Sequence, residues 1–200
     1  MTSAAMIRTS LACAPIGCAL FIVLFIVATS KDPEYVIFES YLSDLGVGPG
    51  AWAFNSAVIS AGCLLVAFAV GGFASYFGAN NLMKTGDALL ALSGVFLAGV
   101  GVFTEDAGDA HLVVSYAFFV TAFLSFGVFA TARFIVRRSL ADPVLLVNAV
   151  SFTTGVVVVA MCGPEPFAET IAVFSLLAWG AVVSALLFIE GRRPANLATT

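Results

Sequence analysis

Three carboxylates and one imidazole fall within seven consecutive positions, Glu105, Asp106, Asp109 and His111, and Ser115 follows the histidine by four residues. That spacing places His111 and Ser115 on one face of a helix. Carboxylate oxygens suit hard cations and an imidazole titrates near neutrality, so such a set can hold a cation or pass a proton. The same acids also suit the positive amino end of a following helix, which is an ordinary structural reason for their presence. A second polar run, Glu39 to Asn55, carries Glu39, Ser43, Asp44 and Asn55 around Gly46, Gly48, Pro49 and Gly50. Its glycines permit backbone angles that other residues avoid and its proline sets a turn, so a defined loop is expected. Ser43 or Asp44 can cap free amides there, and Trp52 can anchor the next helix at a lipid interface. Glu39, Ser43, Asp44, Asn55, Glu105, Asp106, His111 and Ser115 are the candidate wall of a polar pocket. Catalytic residues and cofactors stay unassigned, and with a single histidine a histidine-rich zinc cage is excluded.

The elements that must position these residues are apolar. Six stretches, roughly 11–28, 51–73, 82–103, 112–132, 144–162 and 167–189, each approach the ~20 residues a spanning helix needs. Hydrophobic residues make up 61% of the chain, charged residues 10%, and mean hydropathy is +1.08, values outside the range of soluble domains. Lipid satisfies no backbone N–H or C=O group, so the chain must span as helices or as a closed barrel. Uninterrupted runs of this length fit helices only. The expected fold is therefore all-α, a polytopic integral membrane bundle of six transmembrane helices, with residues 1–200 forming one membrane domain.

Charge orients that bundle. With the amino terminus inside, Arg8, Lys84, Arg133, Arg137, Arg138, Arg192 and Arg193 are internal and only Lys31 is external, as the positive-inside rule demands. On the same reading Asp32, Glu34, Glu39, Asp44, Glu105, Asp106, Asp109, Glu165 and Glu169 lie at or near the outer surface, while Asp87, Asp142 and Glu190 lie inward. Both termini are then cytoplasmic in a multi-pass protein of the cell membrane. The first apolar run is read as a span and not a signal peptide, because its 18 residues suit a crossing. The inner arginines are expected to set orientation and touch lipid phosphates.

Cys13, Cys18, Cys63 and Cys162 have no CxxC spacing and read as small packing residues. Small polar residues scattered through the spans, among them Asn55, Ser93, Ser125 and Asn148, are expected to bond between helices, and Gly94 with Ala98 offers a small-residue face for close helix approach. Ionisable residues are missing from the middle third of every span, which argues against coupled transport. No internal repeat, phosphate loop, nucleophile elbow or dinucleotide fingerprint is present. A net charge of −4 without a basic patch beyond the inner rims excludes nucleic acid as a partner. Membrane lipids are the expected surroundings, with a small ligand or cation possible at the outer face; oligomeric state is not legible.

The run SDLGVGPGAWAFNSAVI, followed by GVFTED and HLVVSYAFF, resembles the prokaryotic membrane family catalogued as domain of unknown function 998. The resemblance covers nearly the whole chain and implies six helices, but brings no substrate or catalytic residue with it. Thr104 stands where the family pattern has proline between phenylalanine and glutamate, a change expected to loosen that turn. Three functions fit these residues. The first is a non-catalytic binding, sensing or assembly bundle with a polar pocket at the outer face. The second is a membrane-embedded enzyme acting on lipid head groups or prenyl lipids, with Glu39, Asp44, Glu105, Asp106 and His111 as acid, base or metal ligands. The third is a channel or facilitator, which needs a continuous polar path.

Overall fold

The computed structural model describes residues 4–73 and 81–190. Six α-helices carry the architecture: α1 (Ala4–Lys31), α2 (Ala51–Phe68), α3 (Asn81–Val102), α4 (Asp109–Arg137), α5 (Pro143–Cys162) and α6 (Pro166–Glu190). All six are long and apolar enough to cross a membrane. Among the described residues there is no strand. Several helices outrun their apolar runs, α1 by nearly three turns and α4 by about two, because helical hydrogen bonding continues into polar flanking residues once the apolar core has formed. α2 instead passes at Ala69 into a π turn, Ala69–Phe73. There Gly71 lies so close to α1 that a Cβ would meet the Ser10 Cβ at 2.6 Å.

Local signals end and start the helices where expected. Asp142 caps α5 by accepting the Leu145 N–H at 2.9 Å, with Pro143 in the first turn. Gly163 ends α5 at φ 67°, its N–H returning to the Val159 carbonyl at 3.0 Å.

Each helix packs on its neighbours in the chain, and α6 closes onto α1, so the bundle is a ring in sequence order. Short connections favour this up-and-down arrangement. Phe68, Phe126 and Trp179 meet at its centre, the last two with ring centroids 4.3 Å apart. Valine, leucine, isoleucine and phenylalanine side chains cover the outside, as a lipid-facing surface requires. One end of the ring bears Asp44 and Glu105 (the acidic end below), and the other bears Arg133 and Asp142 (the basic end).

Two expectations about polar groups are corrected. Ser93 and Ser125 donate at 2.7 Å to Leu90 and Ala122, carbonyls three residues back on their own helices, so neither bridges helices by these bonds. A serine hydroxyl reaches its own preceding turn without any neighbour having to align. Asn148 does bond between helices as expected, accepting the Trp179 indole N–H at 3.0 Å. Arg133 is likewise not directed at lipid phosphate. It is 3% exposed and donates to Asp142 at 2.9 Å and to Glu190 at 2.8 Å, joining α4, the cap of α5 and the end of α6. Arg137 lies on the same two acids, while Arg138 is exposed and Arg192 and Arg193 lie outside the described residues.

Candidate functional site

The loop between α1 and α2 folds at Leu42–Gly46 into a short 3-10 turn. Asp44 holds its start by accepting the Tyr41 N–H at 2.9 Å, and Ser43 is buried within it. Asn55, on the first turn of α2, donates to the Gly46 carbonyl at 2.9 Å and so ties the turn to the helix. Gly50 is needed for this path, since a Cβ there would meet the Ala28 backbone carbonyl oxygen at 2.5 Å.

The second loop is a 3-10 turn at Glu105–Ala107, closed by Gly108 at φ 61°. Thr104 takes φ −64° and ψ 167°, angles proline would share, and its hydroxyl donates to the Asp106 carboxylate. A side-chain bond thus holds the turn that loss of proline was expected to loosen.

The two turns touch, and the Glu105 carboxyl lies beside Asp44, within reach of a hydrogen bond when a proton is shared between them. Glu169, one turn into α6, joins them: it accepts the Leu42 N–H at 2.7 Å and lies within electrostatic reach of Asp44 and Glu105. Among the described residues no lysine or arginine acts on either glutamate. Burial, then the bond to Asp44 and its charge, push the Glu105 carboxyl up to about 7. Beside them the Tyr35 hydroxyl is buried without a hydrogen-bond partner, and burial followed by the charges of Glu169 and Asp44 push it up to about 12. Tyr35 therefore stays a neutral donor throughout the working pH range.

His111 and Ser115 form a separate arrangement on α4. The imidazole Nδ1 lies 2.7 Å from the Phe103 carbonyl, which makes Nδ1 the protonated nitrogen and leaves Nε2 to accept from the Ser115 hydroxyl at 3.3 Å. The bond between them follows from the four-residue spacing. Asp106 and Asp109 are exposed, and Glu39, also exposed, takes no part in the electrostatics of Glu105 or Glu169. Among the described residues, no group of three or more histidine, cysteine or acidic side chains is arranged to hold a metal ion. Glu169 escaped the sequence reading because it belongs to neither motif; its signal is an acid placed one turn inside an otherwise apolar helix.

A proton held more tightly by folded Glu105 than by the unfolded chain stabilises the fold at low pH. Its contribution is fully present below the ordinary value of 4.5 and is lost as pH rises through about 7. Melting temperatures of the detergent-solubilised protein are expected to fall across that window. Glu105→Gln should flatten the fall, and an unchanged slope in that variant would remove Glu105 as its source.

A closed ring of six apolar helices with carboxylates gathered at one end defines a multi-pass α-helical membrane protein. The model of the family described as "Protein of unknown function (DUF998)" matches residues 15–187, and the chain belongs to that family. No curated protein and no solved structure matches it.

Proposed function

We propose that the protein is a non-catalytic binding bundle of the cell membrane, with both termini cytoplasmic and its acidic end, the ligand pocket, facing outside. The observation that carries this reading is the gathering of Asp44, Glu105 and Glu169 from three separate segments, with no basic side chain among the described residues acting on the two glutamates. Like charges placed together destabilise a fold, so the arrangement calls for a partner that supplies positive charge or hydrogen-bond donors. The basic-residue bias supports the outward orientation.

The enzyme reading has one observation in its favour. Ser115, His111 and the Phe103 carbonyl are bonded in series, the order in which a nucleophile, a base and an orienting group stand. Against it, the nearby Glu169 would oppose the negative charge that develops when a serine attacks an ester. The channel reading gains nothing from a bundle centre packed with phenylalanine and tryptophan.

Native mass spectrometry of the protein extracted in membrane-derived nanodiscs decides among these. The wild type should retain a small molecule that a variant carrying Asp44→Asn, Glu105→Gln and Glu169→Gln loses. Equal retention by both would overturn the reading. Labelling of Ser115 by a fluorophosphonate, lost in His111→Ala, would replace it with the enzyme.

A further inference from the structure

Below the carboxylates lies a cavity of ≈ 110 Å³ between α1, α2, α3, α4 and α6. Its wall runs along α4 from Ser115 to Phe126 and along α6 from Glu169 to Gly180. Eleven rises of 1.5 Å along either wall make about 16 Å. That is roughly half the ~30 Å hydrocarbon core of a bilayer, or one leaflet's depth. So small a volume spread over such a length is a slot one chain wide. The wall is almost wholly apolar, with Glu169 at one end and Trp179 toward the other. Apolar cavities stay dry and accept apolar guests.

We propose that this slot holds the hydrocarbon chain of a single-chain amphiphile whose ammonium head lies against Glu169, Asp44 and Glu105. The inference rests on the binding reading above and names the ligand class for it. Charge complementarity selects the head. An ammonium donates charge-assisted hydrogen bonds to carboxylates, whereas a phosphate or carboxylate head meets like charge. Among the described residues no three histidine, cysteine or acidic side chains are arranged to hold a metal ion, so the three carboxylates are neighbours that do not converge on a single point. Glu169 makes the connection between head and chain, because its carboxylate lies within electrostatic reach of Asp44 and Glu105 and the residue lines the cavity.

The chain contains two tryptophans, and Trp52→Phe leaves Trp179, 2% exposed in the cavity wall, as the sole fluorophore. That variant, in nanodiscs of zwitterionic lipid, is titrated with a dodecylammonium brominated at its chain terminus. Bromine in contact with the indole quenches it. Saturable quenching is expected, weakened about tenfold by Glu169→Gln and by exchange of the head for an alcohol or a carboxylate. Glu169 also accepts the Leu42 N–H, so Ala122→Phe, which fills the slot from α4, provides a second variant and should abolish quenching. Equal quenching by all three heads, or quenching unaffected by Ala122→Phe, overturns the inference. A wild type that retains a small molecule in the nanodisc experiment but shows no quenching overturns this inference alone. Absence of both effects removes the binding reading as well.

Discussion

Arg133→Ala is expected to lower the stability of the bundle by about 3–5 kcal/mol, the range for removing one partner of a buried ion pair. Arg133 is buried and reaches two acids on two other segments, so its loss leaves Asp142 and Glu190 with the half-exposed Arg137 in place of a buried cation between them. Burial by itself raises the Asp142 carboxyl, but the Arg133 hydrogen bond, the Leu145 amide and the charges of Arg133 and Arg137 hold it below the ordinary value of 3.8. A depressed carboxyl contributes stability that is present above its unfolded value and is lost as pH falls through the folded one. That acid-side loss should shrink in Arg133→Ala. Arg137→Ala provides the contrast. With its side chain 42% exposed it should cost at most about 1 kcal/mol. Arg133→Met combined with Asp142→Asn and Glu190→Gln should recover most of the loss, since no buried charge of the network is left unpaired and Arg137 is open to solvent. Unfolding of the four proteins in one detergent measures all of this, and an Arg133→Ala variant as stable as Arg137→Ala would refute the role assigned to the network.

The second large effect belongs to Gly62. A Cβ there would meet the Ala98 amide nitrogen and the Gly94 carbonyl oxygen, each at 2.5 Å. Both are backbone atoms, so no side-chain rotation relieves the clash and α2 must move away from α3. Gly62→Ala should cost about 1–3 kcal/mol, the range for overpacking, and Gly62→Leu should prevent recovery of folded protein. Gly99→Ala makes the control, because its Cβ would meet a Val114 methyl at 3.3 Å, a neighbour able to shift by a few tenths of an ångström. Melting curves of the two alanine variants compare them directly. If they coincide, the α2–α3 contact is looser than these distances require.

Gly94 and Ala98 were legible as a small-residue face because four-residue spacing and residue size are local properties. Their partner, Gly62, was not, since nothing in the sequence says which face of α2 turns toward α3. The polar residues divide in the same way. His111 and Ser115 share a helix, so four-residue spacing predicts their bond; Asp44 and Glu105 lie in different loops, and their approach follows only from helices packing in chain order. Glu169 belongs to neither motif, and its part depends on α6 closing onto α1. The serines were misread because a hydroxyl inside a helix has its own preceding carbonyl within reach, a local competitor that hydropathy does not register. Arg133 was misread because charge bias reports on which side of a membrane an arginine lies, not on the acids it meets there.

By itself, then, the sequence determined what lipid imposes on any chain: six spans, their helical form and the separation of acidic from basic ends, all of which depend on composition counted along the backbone. The tertiary structure decided the rest, namely the closed ring, the Arg133 network, the meeting of three carboxylates and the slot beneath them. Each depends on the rotation of one helix about its own axis relative to another, and that rotation is set by the packing of side chains far apart in the chain.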